Sequence, residues 1–409
     1  MRKTKCSIQL LFLLVFIFMI DGGIQTFAEN YYVASNGTDD GPGTPDKPLG
    51  TIQKALELVQ PGDKVLIKAG TYAGEITISK SGTLEKPIVL KAYGDGEVVV
   101  KGRFEQKRGF KLVEGCKYTY EIVEGGDVAG VLVNLDTTKA ILDPLTQVGS
   151  INELEKNVNF LYYYDKDAGK LYLRYLGDNP DKEQSIYVLR DGSGFWISGS
   201  NIVVDGLTFS HFAGGGVGVG GKNVTVQGCK FYLCGGASGG VNGGSAVGIY
   251  GADNAKIKNC MMTRVANGIL VLGSKNTEIT HNTIYKTRGH GIMVSNSPNT
   301  TIKNNIIYAG GPSGAVLWIY KDSGDTLALD YNCYLDYNTA IFMYWGPTDT
   351  RFPTYWDYKA AVKTQDQHSL SDDPLFVSTQ LYQEDLRLKP DSPCLGKADD
   401  GLNLGWNPQ

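Results

Sequence analysis

Histidine is scarce in this chain, four residues in 409, and the cysteines show no metal-ligand spacing. Long apolar runs are absent after Leu10–Ile20, so no later segment reaches a bilayer-spanning length. Basic charge is also short, with 39 Lys and Arg against 43 Asp and Glu. Phosphate contact needs a basic surface, so nucleic acid is excluded as a partner. An anionic glycan stays open, because a local basic cleft can work on an acidic protein. Arg2, Lys3 and Lys5 precede the single apolar run, and Thr26-Phe27-Ala28 resembles a small-x-small cleavage site. A secretory signal over residues 1–28 is therefore expected, with no lipidation box and no transmembrane segment. Its removal would move the formal charge from −4 to −6. The product is expected to be exported, at the cell surface or beyond, and monomeric.

Glycine and tyrosine are abundant, 52 and 24 residues, as suits an all-β chain with many tight turns. Five segments repeat one pattern, anchored at Asn201, Asn223, Asn254, Asn276 and Asn299. Apolar residues alternate after each anchor (Ile202 and Val204, Val224 and Val226, Ala255 and Ile257), and a bulky hydrophobe follows at plus eight: Phe209, Phe231, Met262, Ile284, Ile307. Alternation means strands with one buried face, and a period near 22 residues means a solenoid with one coil per repeat. Equivalent positions then stack about 4.8 Å apart, so function can be sought column by column.

Residues 29–102 are expected to hold a helix over 51–60, capping the open end, and the first coils. Residues 103–190 break the rhythm and contain a hairpin signal, Phe160–Asp165, a Lys166–Gly169 turn and Lys170–Arg174, which predicts an inserted β-rich subdomain. Coils resume over 191–350, with one long glycine loop, Gly235–Gly244. Residues 351–409 form a closing segment with a helix near 354–363 and short strands near 375–377 and 386–388. Six cysteines follow the signal, and Cys229 and Cys260 share a column, where stacked buried thiols are expected over a bridge.

Tyr31–Gly37, Pro48-Leu-Gly-Thr-Ile-Gln-Lys-Ala55, Gly62-Asp-Lys-Val65 and Gly70-Thr-Tyr72 resemble the opening of secreted right-handed parallel β-helix proteins, among them pectate-lyase-like polysaccharide lyases. The coil run Asn276–Ile284 and the end, Asp373-Pro-Leu-Phe376 through Ser392-Pro-Cys394, are similar too. The resemblance implies a right-handed parallel β-helix whose Gly-Ile-x-Val strands (Gly248-Ile249, Gly268-Ile269, Gly291-Ile292) form its first sheet. It also implies that glycans bind on the wall feeding those strands.

Three basic residues share the plus-ten column on that wall: His211, Arg264 and Lys286. Arg288 and His290 follow at plus twelve and plus fourteen. Elimination from a uronate polymer must neutralise a carboxylate and remove the adjacent C5 proton. Stacked cations can do both, because one lowers its neighbour's pKa. Lys286 is the expected base, Arg288 and Arg264 the carboxylate clamps, and His290 an alternative base or acid; solvated turn residues are the competing reading. Many members of the resembled group hold Ca²⁺ with clustered aspartates. Here the nearest candidates are Asp322 and Asp325, where loop solvation competes with metal ligation. Tyr250, Trp318 and Tyr320, with Tyr344 and Trp345, are candidates for sugar stacking or for covering the sheet edge. Lys222, Asp253 and Lys275 read as a surface charge ladder, Asn282 and Asn305 as a buried amide ladder, and His281 as a turn residue. An acidic polysaccharide lyase is the leading expectation. A non-catalytic glycan-binding or cell-surface protein comes second, and a glycoside hydrolase third, since no acid pair shares a column.

Overall fold

A computed structural model describes residues 28–408 apart from 137–140, 157–160, 178, 184, 236–243, 312–313, 337–338 and 381–382. The expected signal and most of the long glycine loop lie outside the described residues.

Three long sheets wrap one core. Sheet 1 runs in nine strands from Asn30–Val33 to Ala328–Asp330, sheet 2 in eight from Gly70–Ala73 to Cys333–Asp336, and sheet 3 in nine from Ile76–Ile78 to Thr350–Phe352. A typical coil passes through Ile202–Asp205, Thr208–Phe212 and Gly215–Val219 before Thr225–Gln227 pairs in parallel beneath its start. The predicted register holds: Val204 pairs with Val226, Val226 with Ile257 and Ile257 with Ile279. Their side chains are fully buried, as are Phe209, Phe231, Met262, Ile284 and Ile307. Burial of this unbroken apolar column is the main favourable term in holding the coils together.

Turn residues supply the second term. All five anchor asparagines adopt left-handed backbone, with φ between 55° and 60°. Asparagine tolerates that region better than other non-glycine residues. Their amides form a ladder: Asn223 Nδ2 donates to Asn201 Oδ1 at 2.9 Å, and the donations from Asn254, Asn276 and Asn299 measure 2.8, 3.0 and 3.0 Å. The expected inner ladder is also present and reaches one coil further. Asn282 donates to Asn305, and Asn305 to Asn332, each at 3.0 Å. Lys222 pairs with Asp253 at 3.1 Å.

The early helix spans Ile52–Leu58, with Thr51 accepting from the Lys54 N–H. Its buried face packs against the strands Asn30–Val33, Lys64–Ile67 and Ile76–Ile78. Between Val98–Lys101 and Ser193–Ile197 the chain leaves the coil. It builds a four-stranded antiparallel sheet (Phe104–Lys107, Gly130–Asp136, Ile141–Pro144, Ser185–Leu189) and a five-stranded sheet that contains the predicted hairpin, Leu161–Asp165 with Lys170–Arg174. These sheets share their own core around Tyr120, Tyr162, Leu171 and Val188. A separate apolar seam, Leu132 and Leu189 with Ala213 and Leu233, joins them to sheet 2. After the coils, the helix Tyr355–Ala361 and the strand pair Phe376–Ser378 and Asp385–Leu388 follow. Phe376, Leu386, Cys394 and Leu404 pack on Tyr285, Ile306 and Cys333 of sheet 2. All six described cysteines are free thiols, and Cys229 and Cys260, buried in adjacent coils, donate to backbone carbonyls, Gln227 O at 3.2 Å and Lys258 O at 3.3 Å.

Candidate functional site

The turn from sheet 2 to sheet 3 is where the sequence places its basic column. His211, Leu233, Arg264 and Lys286 are successive equivalents there, each with left-handed backbone (φ 63°, 50°, 55° and 53°). The column is therefore real in space. Its side chains, however, face different neighbours.

His211 stacks on Phe104 of the inserted sheet, ring centres 5.1 Å apart. Burial, reinforced by the Lys101 cation, pushes its pKa down to about 4. Arg264 reaches Glu384 of the closing segment at 3.9 Å, both side chains largely buried. The Lys286 ammonium lies 4.9 Å from the centre of the Tyr285 ring, and that ring packs edge-on against Phe376. Arg288 turns the other way and donates to the Gly235 carbonyl at the root of the long loop. His290 is buried. Its Nδ1 accepts the Ala315 N–H at 3.0 Å, and its ring centre sits 4.9 Å from that of Trp318. Burial pushes its pKa down to about 4 as well, so it is neutral at pH 7 with Nδ1 already occupied. The structure thus stacks His211, Arg264 and Lys286 along one column without opening them onto one groove.

The outer face of sheet 3 is exposed toward its two ends, at Trp196 and Tyr250 and again at Tyr320, with Leu270 buried between them. Its outward column reads Trp196, Gly218, Gly248, Leu270, Met293, Trp318, Tyr344, with Arg351 paired to Tyr344 on the last, antiparallel strand. Trp318 stacks on Tyr344 at 4.6 Å, and Tyr320 lies 6.0 Å from Tyr344. The Arg351 guanidinium sits 5.9 Å from the Trp318 ring and 6.0 Å from that of Tyr344, within cation–π range. Trp345 leaves this group, because strand alternation turns it inward to pack near Tyr358. Tyr250 lies apart, 5.9 Å from Trp196, a residue that sequence reasoning missed. Trp196 precedes the first anchor, so the repeat did not expose it.

Asp322 accepts the Asn296 N–H at 2.7 Å and the Ser323 hydroxyl at 3.0 Å, and Asp325 ends the short helix Lys321–Gly324. Among the described residues no three His, Cys, Asp or Glu side chains gather as metal donors. A cleft of about 900 Å³ lies elsewhere, against sheet 1 and the tail 399–408. Close pairs in its lining are Lys303 with Asp399 at 3.5 Å and Lys258 with Glu278 at 3.6 Å, and the His281 ring stands 3.3 Å from Asp400. No aromatic side chain is among its described lining. Among the described residues no helix is long and apolar enough to cross a membrane.

Residues 193–352 match the family described as right-handed beta helix region, and residues 31–143 match the Pel9A-like right-handed beta helix region. Pectate lyase PEL9 of Emericella nidulans is 40% identical over 77 residues, covering 18% of this chain and 19% of that protein. The uncharacterized protein YwoF of Bacillus subtilis is 39% identical over 71 residues, 17% of this chain and 15% of its own. The chain thus spans less than a fifth of the length of these curated relatives. The solved structure of XylC with xylose superposes with a TM-score of 0.52 at 16% identity, covering 76% of this chain and 66% of that one, a likeness of fold. With the coil register and the two family matches in agreement, this chain is a right-handed parallel β-helix protein, and its first coils are similar to the Pel9A-like region.

Proposed function

We propose that the protein is an exported polysaccharide lyase that lays a uronate-containing glycan along the open face of sheet 3. One observation carries this reading: Trp318, Tyr320 and Tyr344 form an aromatic group under the Arg351 guanidinium. Aromatic faces hold the C–H side of a sugar ring, and a guanidinium offers paired donors to a carboxylate. The expected base is Lys286, acting as the neutral amine, with Arg288 as a carboxylate clamp; both are half-buried just before the strand Ile292–Ser295, and Lys286 must leave the Tyr285 ring to reach a sugar there. In the reaction the C5–H electron pair becomes the new double bond as the C4–O bond breaks. The proton goes to the Lys286 amine, and the leaving oxygen is protonated by solvent.

A panel of uronate polymers, followed at the unsaturated-uronate absorbance band, tests this. Lys286→Ala should lower kcat by about 10²–10⁴-fold with polymer binding retained. Arg351→Ala should raise KM. A second reading, a glycan-binding protein without turnover, is favoured by the engagement of the basic column with the inserted sheet and closing segment. Binding of uronate polymer with no absorbance change on any substrate would select it.

A further inference from the structure

The near end of the sheet 3 face differs in chemistry from the far end. Gly218 and Gly248 are consecutive in its outward column, and each lies beneath an aromatic ring. A Cβ on Gly218 would sit 2.5 Å from Cε3 of Trp196, and one on Gly248 would sit 2.6 Å from Cζ of Tyr250. Both rings therefore lie down on the backbone because the two side chains beneath them are missing. The Trp196 ring reaches along its neighbouring coil as far as Gly220, where a Cβ would stand 3.2 Å from Cζ2. Both aromatics keep about two-fifths of their surface exposed. A hollow of about 310 Å³ lies over them, rimmed by Ser193, Gly214, Gly215 and Ser245. None of its described lining residues is charged.

We infer that this hollow is a subsite for a neutral pyranose, stacked by its apolar C–H face on Trp196 and Tyr250, with the Ser193 hydroxyl at the rim meeting a ring substituent. Small-ligand pockets of this size pair apolar walls with a few polar groups. A carboxylate would lose water there without gaining a cation, which disfavours a uronate ring. The cationic group at Trp318 stands five coils beyond Trp196 along the same column, roughly 24 Å, and three coils beyond the strand that carries Tyr250. The inference rests on the reading that glycan runs along sheet 3, and it adds that the glycan contains neutral residues as well as acidic ones.

The test is titration of xylotetraose, cellotetraose and tetragalacturonate, read by calorimetry and tryptophan emission. At least one neutral tetrasaccharide should bind the wild type and shift its emission. Trp196→Ala should weaken that binding by about tenfold or more, Trp196→Phe should restore part of it, and Trp356→Ala, on the distant helix Tyr355–Ala361, should change nothing. Gly248→Ala should weaken it too, because the added methyl lifts Tyr250 with no aromatic removed. Neutral tetrasaccharides that do not bind, or that bind all variants equally, would overturn the subsite. Uronate failing to bind while neutral sugars bind at Trp196 would instead overturn the lyase reading alone.

Discussion

Two neighbouring strips of one cylinder meet opposite fates. The sheet 2 wall and the turn beyond it are covered, by the inserted sheets near His211 and by the closing segment near Arg264 and Tyr285. The outer face of sheet 3, one turn away, keeps Trp196, Tyr250 and Tyr320 substantially exposed. Both strips obey the same coil register. The register determines which residues share a column, whereas segments distant in sequence determine which columns meet solvent.

The contrast can be broken most forcefully at the covered wall. Phe376→Ala should remove about 3–5 kcal/mol of stability, because its buried ring packs against Tyr285 and leaves a cavity behind. Denaturant melts would read this as a lower midpoint with unchanged slope.

Acidification should loosen the same region by a smaller amount. His211 and His290 have folded pKa values near 4, below the ordinary 6.5, so the unfolded chain takes up protons first as pH falls. Their contribution is full above about pH 6.5 and is lost between there and about pH 4, on the order of 1–3 kcal/mol each. Stability curves of His211→Phe against wild type should converge partway as pH drops through that window. Parallel curves would mean that His211 takes up its proton in the fold as readily as in the unfolded chain.

The anchor ladder sharpens the comparison further, since its turn residues satisfy one another rather than a covering element. Asn254→Ala should cost about 1–2 kcal/mol, combining two lost, partly exposed amide bonds with left-handed backbone strain. Asn254→Gly should recover the strain portion. The smallest effect belongs to the open face: Trp196→Ala should shift stability by no more than about 0.5–1 kcal/mol while weakening neutral-sugar binding about tenfold or more. A large drop in melting temperature there would mark Trp196 as a packing residue.

Much of this was legible in the sequence. Alternation, the 22-residue period, the hairpin at Lys166–Gly169, the helix capped by Thr51 and the Asn282–Asn305 pair are local or periodic signals. The asparagine anchors were visible as register marks, but the amide ladder they form needed the stacked geometry. What escaped was contact across long separation. Phe104 meets His211 and Glu384 meets Arg264 over more than a hundred residues, and nothing in either segment announces the partner. The Trp196 platform left a faint trace, glycine at the outward position of two successive coils beside aromatics. In a chain with 52 glycines that trace reads as turn composition.

Every amide in the anchor ladder donates toward the earlier coil: Asn299 to Asn276, Asn276 to Asn254, Asn254 to Asn223 and Asn223 to Asn201. A rung therefore does not depend on its absolute position. Excising one whole repeat, such as residues 276–298, would let Asn299 donate to Asn254 with the same geometry. Duplicating a repeat would insert an equivalent rung. Such a rod can change length by tandem gain or loss of coils during evolution, and each step would move the two aromatic stations on its open side closer together or further apart by one strand spacing.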